Sequence, residues 1–200
     1  MAYSDFTTIR QVEKQFGVRQ VKKNIFTDVK PTLPSSRLLE ELQEAEELPL
    51  FSEKAKSELI IMPILKEVRR KNRTFNIFSG YSFDVDKAQS LNGICDYILS
   101  SNIESIEIKS PIFCLVEAKN RTIEEGIGQA AAEMIAAKIF NKQDKNELPA
   151  VYGCVTTGTE WLFLLLEDEF LCIHTHRYYL NETDLPKLLS ILLYIVEQSV

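Results

Sequence analysis

The order of six short apolar runs between residues 74 and 179 constrains the fold more than any other feature of the chain. Runs that are rich in β-branched or aromatic residues and bounded by turn formers predict β-strands. An Ala-rich segment from Thr122 to Phe140 divides them and predicts a helix, and Gly158-Thr159 predicts a hairpin turn. A helix between strands is typical of an α/β protein with a mixed sheet covered on both faces. The runs are TFNIFSGYSFDV, NGICDYILS, IFCLVEAK, AVYGCVTT, EWLFLLL and FLCIHTHRYY.

Helical patterns lie on both sides of this region. Residues 52–72 predict a long helix, and Pro63 within it predicts a kink or a break into two shorter helices. A last helix is expected from about residue 184 to residue 197. The sequence before residue 51 predicts short amphipathic helices. We therefore expect an N-terminal helical extension at residues 1–50, packed on one globular domain at residues 51–200.

The charge of the chain limits its partners. With 23 Lys and Arg against 29 Asp and Glu, the 200-residue chain has a formal net charge of -6. Proteins that coat nucleic acid or anionic membranes need a basic field, so binding through bulk charge is not expected. Residues 37–47 hold much of the acidity, whereas residues 54–73 carry seven basic residues against two acidic ones. That basic segment either follows a phosphate backbone or is a solvated helix end.

The N-terminal sequence has no apolar run of the kind found in secretory signals. The longest apolar run, LLSILLYIV, is about half the length that a membrane crossing needs. We expect a cytoplasmic protein with no membrane partner. The four cysteines lack paired spacing, which predicts small buried thiols rather than disulfides.

Charged residues interrupt two of the predicted strands. Asp96 lies among apolar residues in NGICDYILS, where a buried carboxylate is costly. The run IFCLVEAK ends in Glu117-Ala118-Lys119, and strand alternation places Glu117 and Lys119 on the same face. If the two strands pair in antiparallel fashion, Asp96 lies beside Glu117. The alternative is that Asp96 caps a turn while Glu117 and Lys119 form a surface pair.

Two close carboxylates repel each other unless a cation lies between them, and oxygen ligands suit Mg²⁺ or Mn²⁺. Such an ion can polarise a phosphodiester and help to generate hydroxide. Beside it, Lys119 would orient or deprotonate the attacking water, or stabilise the negative charge that develops on the phosphate.

In this order the residues resemble the PD-(D/E)XK nuclease superfamily. Asp96 matches the Asp of one core strand, Glu117 and Lys119 match the (D/E)xK of the next, and Gln129 matches a Gln of the following helix. The likeness spans roughly residues 52–160. The segments that carry it are SEKAKSELIIMPIL, FSGYSFDVD, LNGICDYIL, VEAKN and GIGQAAAEM.

The resemblance implies a restriction-endonuclease-like α/β/α core, with a mixed central sheet flanked by helices. It also implies a metal-dependent nuclease that hydrolyses phosphodiester bonds of DNA. Asp96, Glu117 and the Ala118 carbonyl would hold Mg²⁺ or Mn²⁺, together with a glutamate of the preceding helix. Glu58 is the expected glutamate, reaching the ion directly or through water, because Glu53 is expected to lie on a different face and to favour the helix dipole.

Gln129 and Glu133 are four residues apart on the predicted helix and therefore share a face. Gln129 joins Asp96, Glu117 and Lys119 as an expected catalytic residue, which hydrogen-bonds a ligand water or a DNA phosphate. Glu133 either tethers Gln129 or pairs with a lysine.

Two further patterns have simpler explanations. Residues 126–131 match the GxGxxA dinucleotide pattern, but no strand directly precedes them, and Glu124 would repel a phosphate there. Close helix packing explains these glycines. Cys172, His174 and His176 alternate along one strand and would suit a soft metal, but no fourth ligand is evident. A strand leaving the core explains them as well.

Two other function classes stay open beside the nuclease. One is a catalytically inactive nucleic-acid-binding or regulatory module on the same fold. The other is an interaction protein that forms a homodimer through the apolar C-terminal strands or helix. Metal-dependent cleavage of DNA would favour the enzyme, whereas the absence of both cleavage and metal binding would favour the module.

Overall fold

A mixed eight-stranded sheet forms the centre of the computed structural model, which describes residues 2–199. The strand order is β1-β7-β6-β5-β4-β3-β2, and β8 pairs with β6. The pairs β1/β7 and β4/β5 are parallel, and the others are antiparallel. The strands are β1 Arg19–Lys23, β2 Asn76–Ser82, β3 Ile94–Ser100, β4 Ile112–Ala118, β5 Ala150–Thr156, β6 Glu160–Glu167, β7 Phe170–His174 and β8 Tyr178–Tyr179.

Helices cover both faces of this sheet. One buried cluster joins the sheet to α2, α4 and α6, and the other joins it to α1 and α5. The prediction of an α/β protein with a mixed sheet flanked by helices is therefore confirmed. The helices are α1 Ile9–Phe16, α2 Ser36–Glu46, α3 Glu53–Lys56, α4 Met62–Lys71, α5 Glu124–Gln143 and α6 Leu185–Glu197.

Helix α5 makes the crossover that parallel pairing of β4 and β5 requires. Its two glycines allow close approach on different sides. A Cβ on Gly126 would lie 2.6 Å from Val155 Cγ1 and 2.9 Å from Lys119 Cγ. A Cβ on Gly128 would overlap the backbone carbonyl of Phe6. Packing, rather than a dinucleotide turn, thus accounts for these glycines.

The helix before β2 is continuous but changes its winding. A π-helical segment, Ser57–Ile61, separates α3 from α4, and Pro63 lies in the first turn of α4. The N–H of Met62 donates to the Ser57 carbonyl five residues earlier. Proline has no N–H and its ring clashes with the carbonyl four residues before it, so the widened turn accommodates it within one helix.

Residues 2–50 are not helical throughout, contrary to expectation. Strand β1 pairs in parallel with β7 at one edge of the sheet, α1 packs on α5 and α2 packs on α4. The sequence pattern missed β1 because an exposed edge strand, here RQVKK, needs no apolar alternation. The N-terminal segment thus contributes to both faces and to one edge.

Two predictions concern the cysteines and the membrane-spanning segments of the chain. All four cysteines are buried and free, as predicted. Within residues 2–199, no helix combines the length and the apolar character that spanning a membrane demands.

Candidate active site

The ends of β3 and β4 bring Asp96 next to the Glu117-Ala118 peptide. The antiparallel ladder between these strands runs up to the pair of Tyr97 and Val116. One residue further, Asp96 Oδ2 accepts a hydrogen bond from the backbone N–H of Ala118 at 2.8 Å. Asp96 therefore bonds across to the end of β4 rather than capping a turn.

The sheet is irregular at Asp96. Gly80 of β2 stands opposite it with φ 70°, and this pair makes no β-bridge although the pairs on both sides do. Interruptions of a ladder redirect side chains and are common next to functional sites. Here the interruption coincides with the carboxylate that lines the cleft described below.

A chain of hydrogen bonds joins four polar side chains at the end of β4. Lys119 Nζ donates to Glu117 Oε1 at 2.5 Å and to Gln129 Oε1 at 3.1 Å. Gln129 Nε2 donates in turn to Glu133 Oε1 at 3.2 Å. Glu117 is 1% exposed and Glu133 is 0% exposed. This buried chain connects the end of β4 to the first turns of α5.

The carboxyl groups of Asp96, Glu117 and Glu133 repel one another. Burial raises the pKa of Glu117 well above its usual value, and the charges of Glu133 and Asp96 raise it further, while Lys119 lowers it. Burial is likewise the main cause that raises the pKa of Asp96 and that raises the pKa of Glu133 to about 7. In the absence of a cation these shifts favour protonation of the carboxyls, whereas a bound cation would favour their ionised form.

Lys119 carries the ammonium group of the cluster. Burial lowers the pKa of Lys119, but the charge and hydrogen bond of Glu117 more than offset it, with Glu53 and Asp96 adding to the increase. The net shift is upward, so Lys119 is a hydrogen-bond donor at neutral pH. It can orient water or bind an anionic oxygen.

Two carboxylate oxygens of the cluster receive no hydrogen bond from an N–H or O–H donor among the described residues, namely Glu117 Oε2 and Glu133 Oε2. The Glu117 and Glu133 side chains lie within hydrogen-bond reach of each other, so a proton on one of them can bond the other. An unsatisfied buried polar atom costs roughly 1–3 kcal/mol, and more when the group is charged. A cation at Glu117 Oε2 would remove this cost and favour the ionised form of both carboxyls.

The available donors at this point are all oxygens. Carboxylates of Asp96 and Glu117 and the carbonyl of Ala118 form a hard ligand set, which suits Mg²⁺ or Mn²⁺ better than soft metals. In the part of the chain that the structure describes, no three His, Cys, Asp or Glu side chains are grouped to hold a metal ion. A Mg²⁺ site with one or two carboxylates, completed by waters, needs no such group.

A cleft of about 410 Å³ opens beside Asp96. The α3 helix and the π-helical segment form one wall, and β2 and β3 form the other. Asp96 therefore faces a space that is open to solvent and large enough for a small organic group. The lining residues are Glu53, Lys54, Ser57, Glu58, Met62, Ser79, Gly80, Asp96 and Tyr97.

Of the two candidate helical glutamates, Glu53 lies closer to the cluster. It is half-buried, and its pKa is raised by burial, lowered by Lys119 and raised by Asp96. Glu58 lines the cleft, but its side chain is 64% exposed and lies 3.8 Å from Lys54. Glu58 was expected to be the ligand because it directly precedes the apolar run LIIMPIL, and the sequence pattern did not predict the π-helical segment. The π-helical segment buries Ile60 and leaves Glu58 toward solvent.

Sequence reasoning also missed the contacts that hold this helix against the sheet. Tyr97 Oη donates to the Ser57 carbonyl at 2.9 Å, and Lys56 Nζ donates to the Asn120 carbonyl at 2.5 Å. Both contacts use backbone carbonyls, and no sequence signal marks them. They fix one wall of the cleft to β3 and to the loop after β4.

Much of the basic segment at residues 54–73 is engaged inside the molecule. Arg70 and Lys71 pair with the buried Glu67 at 3.0 and 3.3 Å, and the Arg69 guanidinium lies 5.9 Å from the ring of Phe75. These cations stabilise the fold, so they do not form a free track for phosphates.

The histidine of β7 has structural partners. His174 Nδ1 accepts a hydrogen bond from the N–H of Ile25 at 3.0 Å, and His174 Nε2 lies 3.0 Å from Tyr178 Oη. Burial lowers the pKa of His174 to about 4. These contacts occupy both ring nitrogens and agree with the interpretation that His174 is not a metal ligand.

Comparisons with known proteins leave this site to be interpreted from its own geometry. No protein-family profile matches the chain, and no curated protein is significantly similar to it. The arrangement is a candidate active site in which two carboxylates and one ammonium meet beside an open cleft.

Proposed function

We propose that the chain is a metal-dependent nuclease of the PD-(D/E)XK type, on a restriction-endonuclease-like core, that hydrolyses phosphodiester bonds of DNA. One observation carries the proposal. The buried Glu117 carboxylate has an oxygen without an N–H or O–H donor and an ion pair with Lys119, and it lies next to Asp96 where the paired strands β3 and β4 end. A bound cation would be the partner of that oxygen while Glu117 is ionised.

The residues that would hold Mg²⁺ or Mn²⁺ are Asp96, Glu117 and the carbonyl of Ala118. Glu53 is better placed than Glu58 to complete or orient this set, because it interacts with both Asp96 and Lys119. When bound, a divalent ion polarises the phosphodiester and makes its bound water more acidic.

Lys119 is suited to act on the phosphate. Two of its three N–H groups donate to Glu117 and Gln129, and the third has no protein partner among residues 2–199. Because Glu117 keeps Lys119 protonated, the free N–H can donate to water or to a phosphate oxygen as negative charge develops there. Orientation of the water and charge stabilisation are therefore its roles while the ion pair is intact, rather than proton abstraction.

The charge distribution favours local engagement of DNA. The net charge is -6, and several cations of the basic segment are paired internally. Tight nonspecific binding to a long duplex would need a free basic surface. The proposed enzyme instead depends on the metal ion and Lys119 to bind one phosphate in the cleft.

The test is Mg²⁺- or Mn²⁺-dependent cleavage of single-stranded, duplex and branched DNA. We expect wild type to cleave at least one substrate, and Lys119→Ala to lose about 100-fold or more in kcat, as removal of a charge-stabilising donor does elsewhere. Lys142→Ala is the matched control, since Lys142 is exposed on α5 away from the cluster. Undiminished cleavage by Lys119→Ala would refute the role of Lys119, and wild type with neither cleavage nor metal binding would refute the enzyme.

A further inference from the structure

Gln129 stands between two groups of opposite hydrogen-bonding character. Lys119 has only donors, and an ionised carboxylate such as Glu133 has only acceptors. The amide has one end of each kind, with Oε1 3.1 Å from Lys119 Nζ and Nε2 3.2 Å from Glu133 Oε1. The chemistry of its two neighbours therefore determines which way the amide faces.

Glu133 is an unfavourable residue for stability alone. It is 0% exposed, its Oε2 receives no N–H or O–H donor, and burying a carboxyl beside the Glu117 carboxyl costs more than burying an apolar side chain of similar size. Its neighbours on α5 are mostly alanines, which would pack equally well against leucine. A stabilising role therefore does not explain the presence of a carboxylate at this position.

Without Glu133, Gln129 would keep only one end of its amide bonded. Gln129 is half-buried, and a glutamine side chain gains roughly 1.5–2 kcal/mol of rotamer entropy when it is released. A released Gln129 would leave Lys119 with Glu117 as its one partner. The ammonium could then move away from the position that the two acceptors define.

We infer that Glu133 is a positioning residue: by accepting a hydrogen bond from Gln129 Nε2, it holds the Gln129 amide oxygen toward Lys119 and so fixes the ammonium beside Glu117. Its contribution to hydrolysis rests on the proposed function, whereas its effect on Gln129 and Lys119 does not. Glu133 acts through these two side chains and not on the substrate.

The test compares Glu133→Leu, which removes the acceptor, with Glu133→Gln, which keeps an acceptor of similar size. The direct measurement is a ¹H–¹⁵N NMR spectrum of the Gln129 side-chain amide and the Lys119 ammonium in DNA-free protein, assigned with Gln129→Leu and Lys119→Arg. We expect both signals to shift to solvent-exposed positions in Glu133→Leu and to stay close to wild type in Glu133→Gln. Thermal unfolding should show that Glu133→Leu is at least as stable as wild type.

If DNA is cleaved, Glu133→Leu should lower kcat about tenfold with KM changed less than twofold, because one hydrogen bond to a charged group is lost. That loss should disappear in a Gln129→Leu background, since both variants break the same link. Unchanged Gln129 and Lys119 signals in folded Glu133→Leu would overturn the inference, as would equal losses in both backgrounds. If Glu133→Leu does not fold, Glu133→Met serves the same comparison. Absence of cleavage with the expected NMR shifts would contradict the proposed function and leave the positioning role intact.

Discussion

Asp96 accepts the backbone N–H of Ala118 with one carboxylate oxygen, Oδ2, at 2.8 Å, and the single amide oxygen of an asparagine could take the same place. The contact needs an oxygen acceptor and no charge, whereas binding a divalent cation needs the charge. One substitution can therefore separate the two roles of this side chain.

Asp96→Asn is expected to fold as wild type does and to bind Mn²⁺ roughly tenfold more weakly or worse, because one of the anionic ligands is neutralised. Isothermal titration calorimetry measures the affinity, and circular dichroism checks the fold. Asp84→Asn is the control, since Asp84 pairs with Lys87 instead. Unchanged Mn²⁺ affinity in Asp96→Asn would exclude Asp96 as a ligand.

Glu53 and Glu58 provide a matched pair on one helix. We expect Glu53→Gln to weaken Mn²⁺ binding several-fold, because its carboxyl lies close enough to Asp96 for the Asp96 charge to raise the pKa of Glu53. Glu58→Gln should change the affinity less than twofold, since its side chain is 64% exposed. Calorimetric titration of both variants decides between them. The reverse order of effects would restore Glu58 as the helical ligand.

Glu67 predicts a stability effect far from the site. It is 2% exposed and accepts hydrogen bonds from Ser35 N at 3.1 Å and Ser35 Oγ at 2.9 Å, at the start of α2. Glu67→Ala should lower the free energy of unfolding by about 3 kcal/mol, the upper value for hydrogen bonds to a charged group. In Glu41→Ala, which removes an ion pair with the exposed Arg37 at 2.9 Å and a contact with Arg70 at 4.0 Å, we expect less than about 1 kcal/mol. Urea denaturation compares the two, and equal losses would contradict the prediction.

His174 gives the fold a dependence on pH. Burial lowers its pKa from 6.5 to about 4, so between these values the unfolded chain binds a proton that the folded chain does not. Stability from His174 is therefore complete above pH 6.5 and falls as the pH decreases toward 4, by on the order of 2–3 kcal/mol. The measurement is the free energy of unfolding at several pH values for wild type and His174→Gln.

Carboxyl groups titrate in the same range, so the difference between the two proteins isolates His174. The difference in free energy of unfolding between wild type and His174→Gln should decrease as the pH falls from 6.5 to 4. A difference that stays constant over this range would show that His174 does not cause the dependence of stability on pH.

The sequence predicted the strands from β2 to β7 and their order because burial on both faces leaves long apolar runs, as in β4 and β6. It also predicted that Asp96 and Glu117 would be neighbours, since hairpin-like pairing of adjacent strands follows from chain order. It could not predict which glutamate faces the cluster. The orientation of these glutamates depends on the π-helical segment. Hydrophobic periodicity does not reveal such a segment, so the sequence did not predict it.

Two other features could not be predicted from the sequence, for related reasons. Glu133 accepts a hydrogen bond from Gln129, and Gln129 accepts one from Lys119. This arrangement depends on how deeply Glu133 is buried, and spacing along a helix does not predict burial depth. Strand β1 consists of exposed residues, so burial leaves no pattern in it. In each case the deciding contact is local and polar.

Strand β1 also determines which surfaces of the sheet remain available to a second chain. Because β1 pairs with β7, β7 is not an edge strand of the sheet. Two copies of the chain therefore could not pair their sheets through β7. The residues of β1 include Arg19 and Lys22, besides Lys23, which pairs with Glu167 at 3.3 Å. Like charges meeting across such a seam would oppose association. A sheet continued from β1 of one copy into β1 of another is thus disfavoured by charge.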